Sequence, residues 1–225
     1  MTSHIFAGRA YRNRVHAGRI LAEHVERHLS ALPAPAAETS VIALPCGGVP
    51  VARQVAEHLD APLDVLPVRT IGVPDQPELA AGAIAYPGVM VTNDEIIGGL
   101  GITPDEWNTL VRRTRAELER CTRVHRHGRA GIAVRDAHVV VVDDGVSTGA
   151  TMRAAVGALR RLGAAQVTVA VPVGPPGMSE RFGDVDHVIC PTLLESFRGA
   201  CAAYDEFEPI TDADIRELLS YAGTR

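Results

Sequence analysis

The feature that most constrains this chain is a block of small and acidic residues that follows a run of valines. The block reads VVVVDDGVSTGAT and spans residues 139–151. Four consecutive valines predict a buried strand, and two carboxylates, Asp143 and Asp144, end it. A turn of small and hydroxylated residues then leads into a helical pattern. The block therefore predicts backbone N–H groups and hydroxyls gathered at a helix N-terminus, which is an anion site.

A plainer interpretation of the block is a strand, an Asp-Gly turn and a helix capped by Ser or Thr. Each of those features is common, but their combination in one short block favours a binding site. The block lacks the Gly-Lys-Ser/Thr of a nucleotide P-loop and the Gly-x-Gly-x-x-Gly of a dinucleotide fold. A phosphate at the helix with two carboxylates beside it matches the chemistry of a sugar phosphate, whose hydroxyl pair the acids would bind.

Composition excludes several other classes of protein. The 225 residues are 46% hydrophobic but only 4% aromatic, which predicts one domain of ordinary size with an aliphatic core. A net charge of −5 does not favour nucleic acid or an anionic membrane as a partner. The cysteines have neither zinc nor Cys-x-x-Cys spacing, so we expect free thiols in a reducing cytoplasm. No apolar run reaches membrane-spanning length.

The first twenty residues contain four arginines and no acid, a composition that transit peptides share. The same segment also predicts the start of a helix over residues 10–30, because Val15, Leu21 (or Ala22), Val25 and Leu29 fall on one face. We favour the helix that packs on the core.

The strand pattern along the chain predicts the fold class. The predicted strands are Val41–Leu44, Leu63–Val68, Val139–Val142, Val167–Val171 and Val188–Cys190. These runs do not alternate and helical patterns separate most of them, as expected for strands covered on both faces. We therefore expect an α/β fold with a doubly wound, mostly parallel five-stranded sheet and a ligand at the carboxyl ends of its strands.

The segment between the second and third of those strands has a different character. Residues 69–82 contain prolines 74 and 77 and are predicted as a loop. Ala83–Ala85 and Val89–Thr92 flank Tyr86-Pro87-Gly88 and predict a hairpin. A Thr103 cap followed by Pro104 begins a helix that extends to about Arg123.

Several motifs together resemble the type I phosphoribosyltransferases, and among them a bacterial group of predicted phosphoribosyltransferases. The shared motifs follow in the same order over nearly the whole chain: AGR at 17–19, LPCGGVPV at 44–51, VRTIG at 68–72, PELA at 77–80, the block at 139–151 and YDEF at 204–207. The resemblance implies one domain over residues 1–225. It also implies that the N-terminal helix and a C-terminal segment from about 191 to 225 form a small hood.

The resemblance further implies a reaction. A phosphoribosyltransferase moves the 5-phosphoribosyl group of phosphoribosyl pyrophosphate (PRPP) to a nitrogen-containing acceptor and releases pyrophosphate. Mg²⁺ would be the cofactor, PRPP and a small-molecule acceptor the ligands, and a homodimer in the cytoplasm the form of the protein. Two other function classes stay open: a non-catalytic sensor of PRPP or nucleotides on the same fold, and a hydrolase or phosphorylase of ribosyl phosphates.

The resemblance also assigns the site residues. Asp143 and Asp144 would hold the ribose hydroxyls and contact Mg²⁺ indirectly, through PRPP and water, while Glu78 would assist proton removal from the acceptor. The loop for the 5′-phosphate would be Gly145, Val146, Ser147, Thr148, Gly149, Ala150 and Thr151. The residues that bind the pyrophosphate would be Cys46, Gly47, Gly48, Arg69 and Thr70. Phe197 and Tyr204 would contact the acceptor.

Two departures from the family pattern lie among the residues that would bind the pyrophosphate. Relatives usually carry Arg at the position of Cys46 and Lys at the position of Thr70. Loss of two cations beside a leaving anion costs several kcal/mol of transition-state stabilisation unless another group, such as Arg69 or Mg²⁺, replaces them. Cys46 itself is expected to be a small buried hydrophobe rather than a nucleophile.

Plainer roles exist for the remaining candidates. Glu78 fits a solvated loop carboxylate equally well, and Phe197 and Tyr204 fit the core of the hood. His125 and His127 lie in a basic stretch without metal-ligand spacing, and a solvated helix end is the favoured interpretation.

Overall fold

The computed structural model describes residues 4–5, 9–32, 38–73, 76–125, 131, 134–195 and 199–220. Its helices are α1 (Arg14–Ala31), α2 (Gly48–Leu59), α3 (Asp94–Gly99), α4 (Pro104–His125), α5 (Ala150–Arg161) and α6 (Asp212–Ser220). Its strands are β1 (His4–Ile5), β2 (Thr39–Ala43), β3 (Leu63–Val65), β4 (Val68–Val73), β5 (Gln76–Ala85), β6 (Val89–Thr92), β7 (His138–Val142), β8 (Gln166–Ala170), β9 (Val173–Gly174), β10 (His187–Ile189) and β11 (Thr192–Leu193).

The central sheet confirms the predicted fold class. Its five strands are all parallel, in the order β10-β8-β7-β2-β3. The valines of β7 alternate between two buried faces. Val140 and Val142 face a core formed with α1, α2 and α6, whereas Val139 and Val141 face a core formed with α5. Because both faces are covered, the strand is apolar throughout instead of alternating.

The neighbouring strands β2 and β7 bring distant segments of the chain to one edge of the sheet. Ala43 pairs with Val142, and the N–H of Leu44 then donates to the carbonyl of Val142 at 2.9 Å. The residues that follow β2 therefore lie beside the residues that follow β7. This edge is the carboxyl end of the sheet, where ligands of such folds bind.

The predicted loop over residues 69–82 is wrong for the residues that the structure describes. β4, β5 and β6 form a separate antiparallel sheet in that order, and the predicted hairpin between β5 and β6 is confirmed. This sheet is covered on both faces. Ile71 and Ile84 pack with Val111 and Leu118 of α4, while Val68 belongs to the core cluster formed with α5. Two covered faces remove the polar and apolar alternation by which a strand is recognised.

The predicted strand Leu63–Val68 is in fact two strands in two sheets. β3 ends at Val65, and β4 begins at Val68 and pairs with β5 instead of β2. Pro67, which lies between them, has no N–H to donate to a neighbouring strand.

The C-terminal segment packs on the start of the chain's first helix. A small parallel sheet joins β1, β11 and β9 in that order. Tyr11 and Ala17 form a buried cluster with Val173, Ala203 and Tyr204. Among the described residues, none of the helices has both the length and the apolar character needed to span a membrane.

Candidate functional site

Two carboxylates stand where β7 ends, in contact with the segment that follows β2. The side chain of Asp143 accepts a hydrogen bond from the N–H of Asp144 at 2.9 Å. A Cβ atom added at Gly47 would overlap the Asp144 carboxylate, with Cγ at 2.6 Å. One added at Gly48 would lie 2.7 Å from the carbonyl oxygen of Val142. Only glycine fits at these positions, so the predicted pyrophosphate loop and the acidic pair form one site.

The predicted phosphate loop lies between those acids and α5. The N–H of Val146 donates to the carbonyl of Val173 at 3.1 Å, which holds the loop over β9. Gly149 has a φ of 80° at the N-cap of α5, a left-handed conformation that favours glycine. The hydroxyls of Ser147 and Thr148 bond to no residue that the structure describes. Together with the first N–H groups of α5, they are available to an anion.

Burial shapes the electrostatics of the acidic pair. Removal from water raises the pKa of Asp143 well above its ordinary value, and the negative charge of Asp144 adds to that effect. Burial also raises the pKa of Asp144, but a hydrogen bond and the positive charge of Arg14 oppose the shift. Two acids so close together favour a ligand that brings hydroxyl donors or positive charge.

Arg14 is a residue of this site that sequence reasoning did not identify. Its Nε donates to Oδ2 of Asp144 at 2.8 Å, and the guanidinium lies 3.7 Å above the ring of Phe207. Both partners of this ion pair are buried. A signal was present, because the buried stripe of α1 that contains Leu21 and Val25 also passes through Arg14. A charge on an apolar helical stripe implies a buried partner.

Arg69 and Thr70 occupy opposite faces of the antiparallel sheet, as successive residues of a strand do. Arg69 points toward α4, where its Nη2 donates to Sγ of Cys121 at 2.6 Å. Thr70 points toward α5, where its hydroxyl lies 3.0 Å from that of Thr151 in the phosphate loop. The residues predicted to bind the pyrophosphate are therefore divided between two locations.

Cys46 lies near Arg69, whose charge acts on its thiol. Burial raises the pKa of its thiol, and the positive charge of Arg69 opposes the shift. A thiol of raised pKa is a poor nucleophile at neutral pH, which agrees with the expected role of a small buried hydrophobe. Cys46, Cys121, Cys190 and Cys201 are all free thiols, as the sequence predicted.

Tyr204 does not have the geometry predicted for it. Its ring is 1% exposed and packs against Tyr11 and Phe207, so neither face is open to an acceptor. Its hydroxyl donates to the backbone carbonyl of Asp144 at 2.6 Å. The prediction that Tyr204 contacts the acceptor is corrected: it is a core residue of the C-terminal segment that holds the backbone of the acidic pair.

Two further predicted residues have no described side chain. Phe197 lies outside the described residues. The backbone of Glu78 belongs to β5, but its side chain is outside the description, and its catalytic role stays a prediction.

The expectation that His125 lies at a solvated helix end is wrong. The ring is buried, and its Nε2 lies 3.0 Å from Oδ1 of Asp212 at the start of α6. The contact joins α4 to α6. Its two residues lie 87 positions apart, so the basic residues near His125 in the sequence do not predict it. His127 lies outside the described residues.

A cavity of about 430 Å³ lies away from the acidic pair, between the β5–β6 hairpin and α4. Its wall includes Tyr86, Arg115 and Arg123, and it contains none of the predicted site residues.

The donors present fit a magnesium ion that arrives with its ligand. Within the described ranges, no group of three His, Cys, Asp or Glu side chains is placed to hold a metal ion. Asp143 and Asp144 supply hard oxygen atoms, and Mg²⁺ is commonly bound by one or two carboxylates together with substrate phosphates and water.

Known proteins resemble this chain over most of its length. Residues 12–188 match the family model of the phosphoribosyl transferase domain. Rv0571c and MT0597 of Mycobacterium tuberculosis, which carry provisional names as phosphoribosyl transferases, are each 42% identical over 183 residues, or 81% of this chain. The chain spans 41% of the length of those two relatives.

Solved structures resemble it as well. TT1426 from Thermus thermophilus is 34% identical, with a TM-score of 0.73, over 93% of this chain and 97% of that one. AQ2163 from Aquifex aeolicus has a TM-score of 0.50 at 11% identity, over 93% of this chain and 86% of that one, and shows a shared fold alone.

Proposed function

The chain belongs to the phosphoribosyl transferase domain family, and from that membership we propose that it moves the 5-phosphoribosyl group of PRPP to a nitrogen-containing acceptor. Pyrophosphate is the leaving group, and the reaction depends on Mg²⁺. The single observation that carries the proposal is that the glycines at 47 and 48 lie against the acidic pair, which leads directly into the loop before α5. These segments offer separate sites for a hydroxyl pair, a phosphate and a second anion.

The proposed roles follow from the chemistry of each segment. Asp143 and Asp144 bind the ribose hydroxyls and stabilise positive charge that develops on the ring. Ser147, Thr148 and the N-terminus of α5 bind the 5′-phosphate through hydroxyl and N–H donors. The backbone at Gly47 and Gly48 approaches the pyrophosphate. Catalysis then rests on holding the reactants in line and excluding water, with little covalent chemistry required of the protein.

The proposed cofactor acts on the leaving group. Asp143 and Asp144 would hold Mg²⁺ indirectly, through PRPP and water, and the ion would supply positive charge to the leaving pyrophosphate. This contribution matters here because Cys46 and Thr70 replace the cations that relatives carry near that group.

Steady-state release of pyrophosphate tests the proposal. We expect release from PRPP when Mg²⁺ and a suitable nitrogen heterocycle are both present, and a large decrease for Asp144→Asn, which removes a charge but keeps the shape. Thr148→Val is the matched variant for the phosphate loop. It should weaken ribose 5-phosphate binding and leave free pyrophosphate binding unchanged. Equal weakening of both would mean that the loop binds the other end of PRPP.

The departures at Cys46 and Thr70 favour a second candidate, a sensor that binds PRPP or a nucleotide without turnover. The hydroxyl of Thr70 contacts that of Thr151, so at position 70 the residue beside the phosphate loop is uncharged. The same assay separates the candidates. If the protein binds PRPP tightly but releases no pyrophosphate with any acceptor tested, it is a sensor. If it releases pyrophosphate without an acceptor, it is a hydrolase.

A further inference from the structure

One buried arginine, Arg14, is bonded to one of the two acids, Asp144. Arg14 is 8% exposed and Asp144 is 9% exposed, so their ion pair is shielded from water. A second nitrogen of the guanidinium, Nη1, donates to the backbone carbonyl of Glu208 at 2.7 Å. The flat face of the group rests on Phe207. Three different contacts hold the guanidinium in place, and one of them, the charged hydrogen bond from Nε, reaches the carboxylate of Asp144.

The backbone of the same acid is held separately. The Tyr204 hydroxyl donates to the carbonyl of Asp144, and Tyr204 is itself buried. The segment that carries these groups is tied to the start of α1. The N–H groups of Asp205 and Glu206 donate to the carbonyls of Tyr11 and Arg12 at 2.9 and 2.8 Å.

These contacts use one oxygen of each acid and leave the other. Oδ1 of Asp143 accepts the N–H of Asp144, and Oδ2 of Asp144 accepts Nε of Arg14. The remaining oxygens, Oδ2 of Asp143 and Oδ1 of Asp144, accept no bond from the N–H or alcohol group of another residue in the described part of the chain. The two carboxyl groups also share a hydrogen bond with each other, which a pair of ligand hydroxyls would replace. Two vicinal hydroxyls require two acceptors of this kind.

On the basis of the proposed function, we propose that Arg14 is a positioning residue that holds Asp144 so that the second oxygen of its carboxylate, Oδ1, meets one ribose hydroxyl. The residue thereby makes the site selective for ribose over 2-deoxyribose. Without Arg14, the carboxylate of Asp144 loses its buried ion pair, and no other side chain of the described residues except Asp143 is shown to hold its orientation. The phosphate loop does not depend on this contact, so a variant at Arg14 should keep its affinity for the phosphate end.

Calorimetry with ribose 5-phosphate and 2-deoxyribose 5-phosphate, both with Mg²⁺, tests the assignment. We expect the wild type to prefer the ribose compound about tenfold or more, as for loss of a hydrogen bond to a charged group. Arg14→Met should bring that preference close to one. Arg14→Lys keeps the charge but loses the fork, and should give an intermediate preference. Arg12→Met removes an exposed arginine from the same segment and should match the wild type.

The outcomes separate the inference from the proposed function. A wild type that binds neither sugar phosphate contradicts both. A wild type that prefers ribose, with an Arg14→Met variant that weakens both ligands equally and keeps the preference, shows that Arg14 is only structural and overturns the inference alone. If Arg14→Met does not fold, Arg14→Lys and Tyr204→Phe decide: the preference should fall severalfold in each, and an unchanged preference in both contradicts the proposal.

Discussion

At the scale of single residues, Gly47 is where two segments approach too closely for any side chain. A Cβ added at Gly47 would collide with the carboxylate of Asp144, which is bonded to Arg14. The neighbour therefore cannot move aside without breaking a buried ion pair, and removal of one partner of such a pair is strongly destabilising. The absence of a side chain at this position is part of the site.

Gly47→Ala is accordingly expected to destabilise the fold by about 1–3 kcal/mol, as an overpacked core substitution does. It should also reduce ribose 5-phosphate affinity. Gly98→Ala is the control, because it lies in α3 with no atom near the added Cβ. Since alanine is the better helix former, the control should be neutral or slightly stabilising. Denaturant titration of both variants measures the difference, and equal stabilities would show that the loop has room to relax.

At the scale of elements, three histidines join the amino-terminal edge of the central sheet to α1. His138 begins β7, His187 begins β10, and His28 lies near the end of α1, with its ring centroid 4.6 Å from that of His187. Burial and a neighbouring His187 lower the pKa of His28, and the same two effects lower the pKa of His138. The nearby Asp186 opposes the shift of His138.

These shifts predict acid sensitivity at the junction of α1 with the sheet. Histidines with a lowered pKa bind fewer protons in the folded than in the unfolded state, so folding stability is full above pH 6.5, their ordinary value, and decreases as the pH falls below it. Melting temperatures between pH 8 and pH 5.5 measure the slope. His28→Gln should flatten it, whereas His58→Gln, at an exposed pair with Glu26, should not. A slope unchanged by His28→Gln contradicts this account.

At the scale of the whole molecule, the C-terminal helix completes a core that belongs to the central sheet. Ile215 and Leu219 of α6 are fully buried and pack with residues of β2, β7 and α2. Arg53 of α2 donates to the carbonyl of Leu218, and His125 of α4 contacts Asp212. α6 is therefore an integral part of the packed structure.

Ile215→Ala should cost about 2–5 kcal/mol of unfolding free energy, the usual range for a large-to-small change in a core. Arg216→Ala, one position along the same helix on an exposed site, should change it by less than about 0.5 kcal/mol. Urea denaturation checks both values. A loss below about 1 kcal/mol for Ile215→Ala would mean that the helix contributes little to the global fold.

Much of the fold followed from local pattern. The valines of β7, the two acids and the helix after them are one continuous segment, so their order alone predicted a strand, an edge and an anion site. The parallel five-stranded sheet followed from apolar runs separated by helices. In the antiparallel sheet only the hairpin between β5 and β6 was predicted. β4 and the first part of β5 were not, because α4 and α5 cover both faces of the sheet and no alternation of polar and apolar residues survives in the sequence.

The sequence by itself determined where the acids and the phosphate loop lie along the chain, because each forms from neighbouring residues. Only the tertiary structure decided what surrounds them. Arg14 lies 130 positions from Asp144, and Tyr204 lies 60 positions away, so no local periodicity connects them. The burial of Tyr204 and the contact of His125 with Asp212 likewise depend on which distant surfaces pack together. Packing between distant segments is selected by the free energy of the whole folded chain, and a short window of sequence does not contain it.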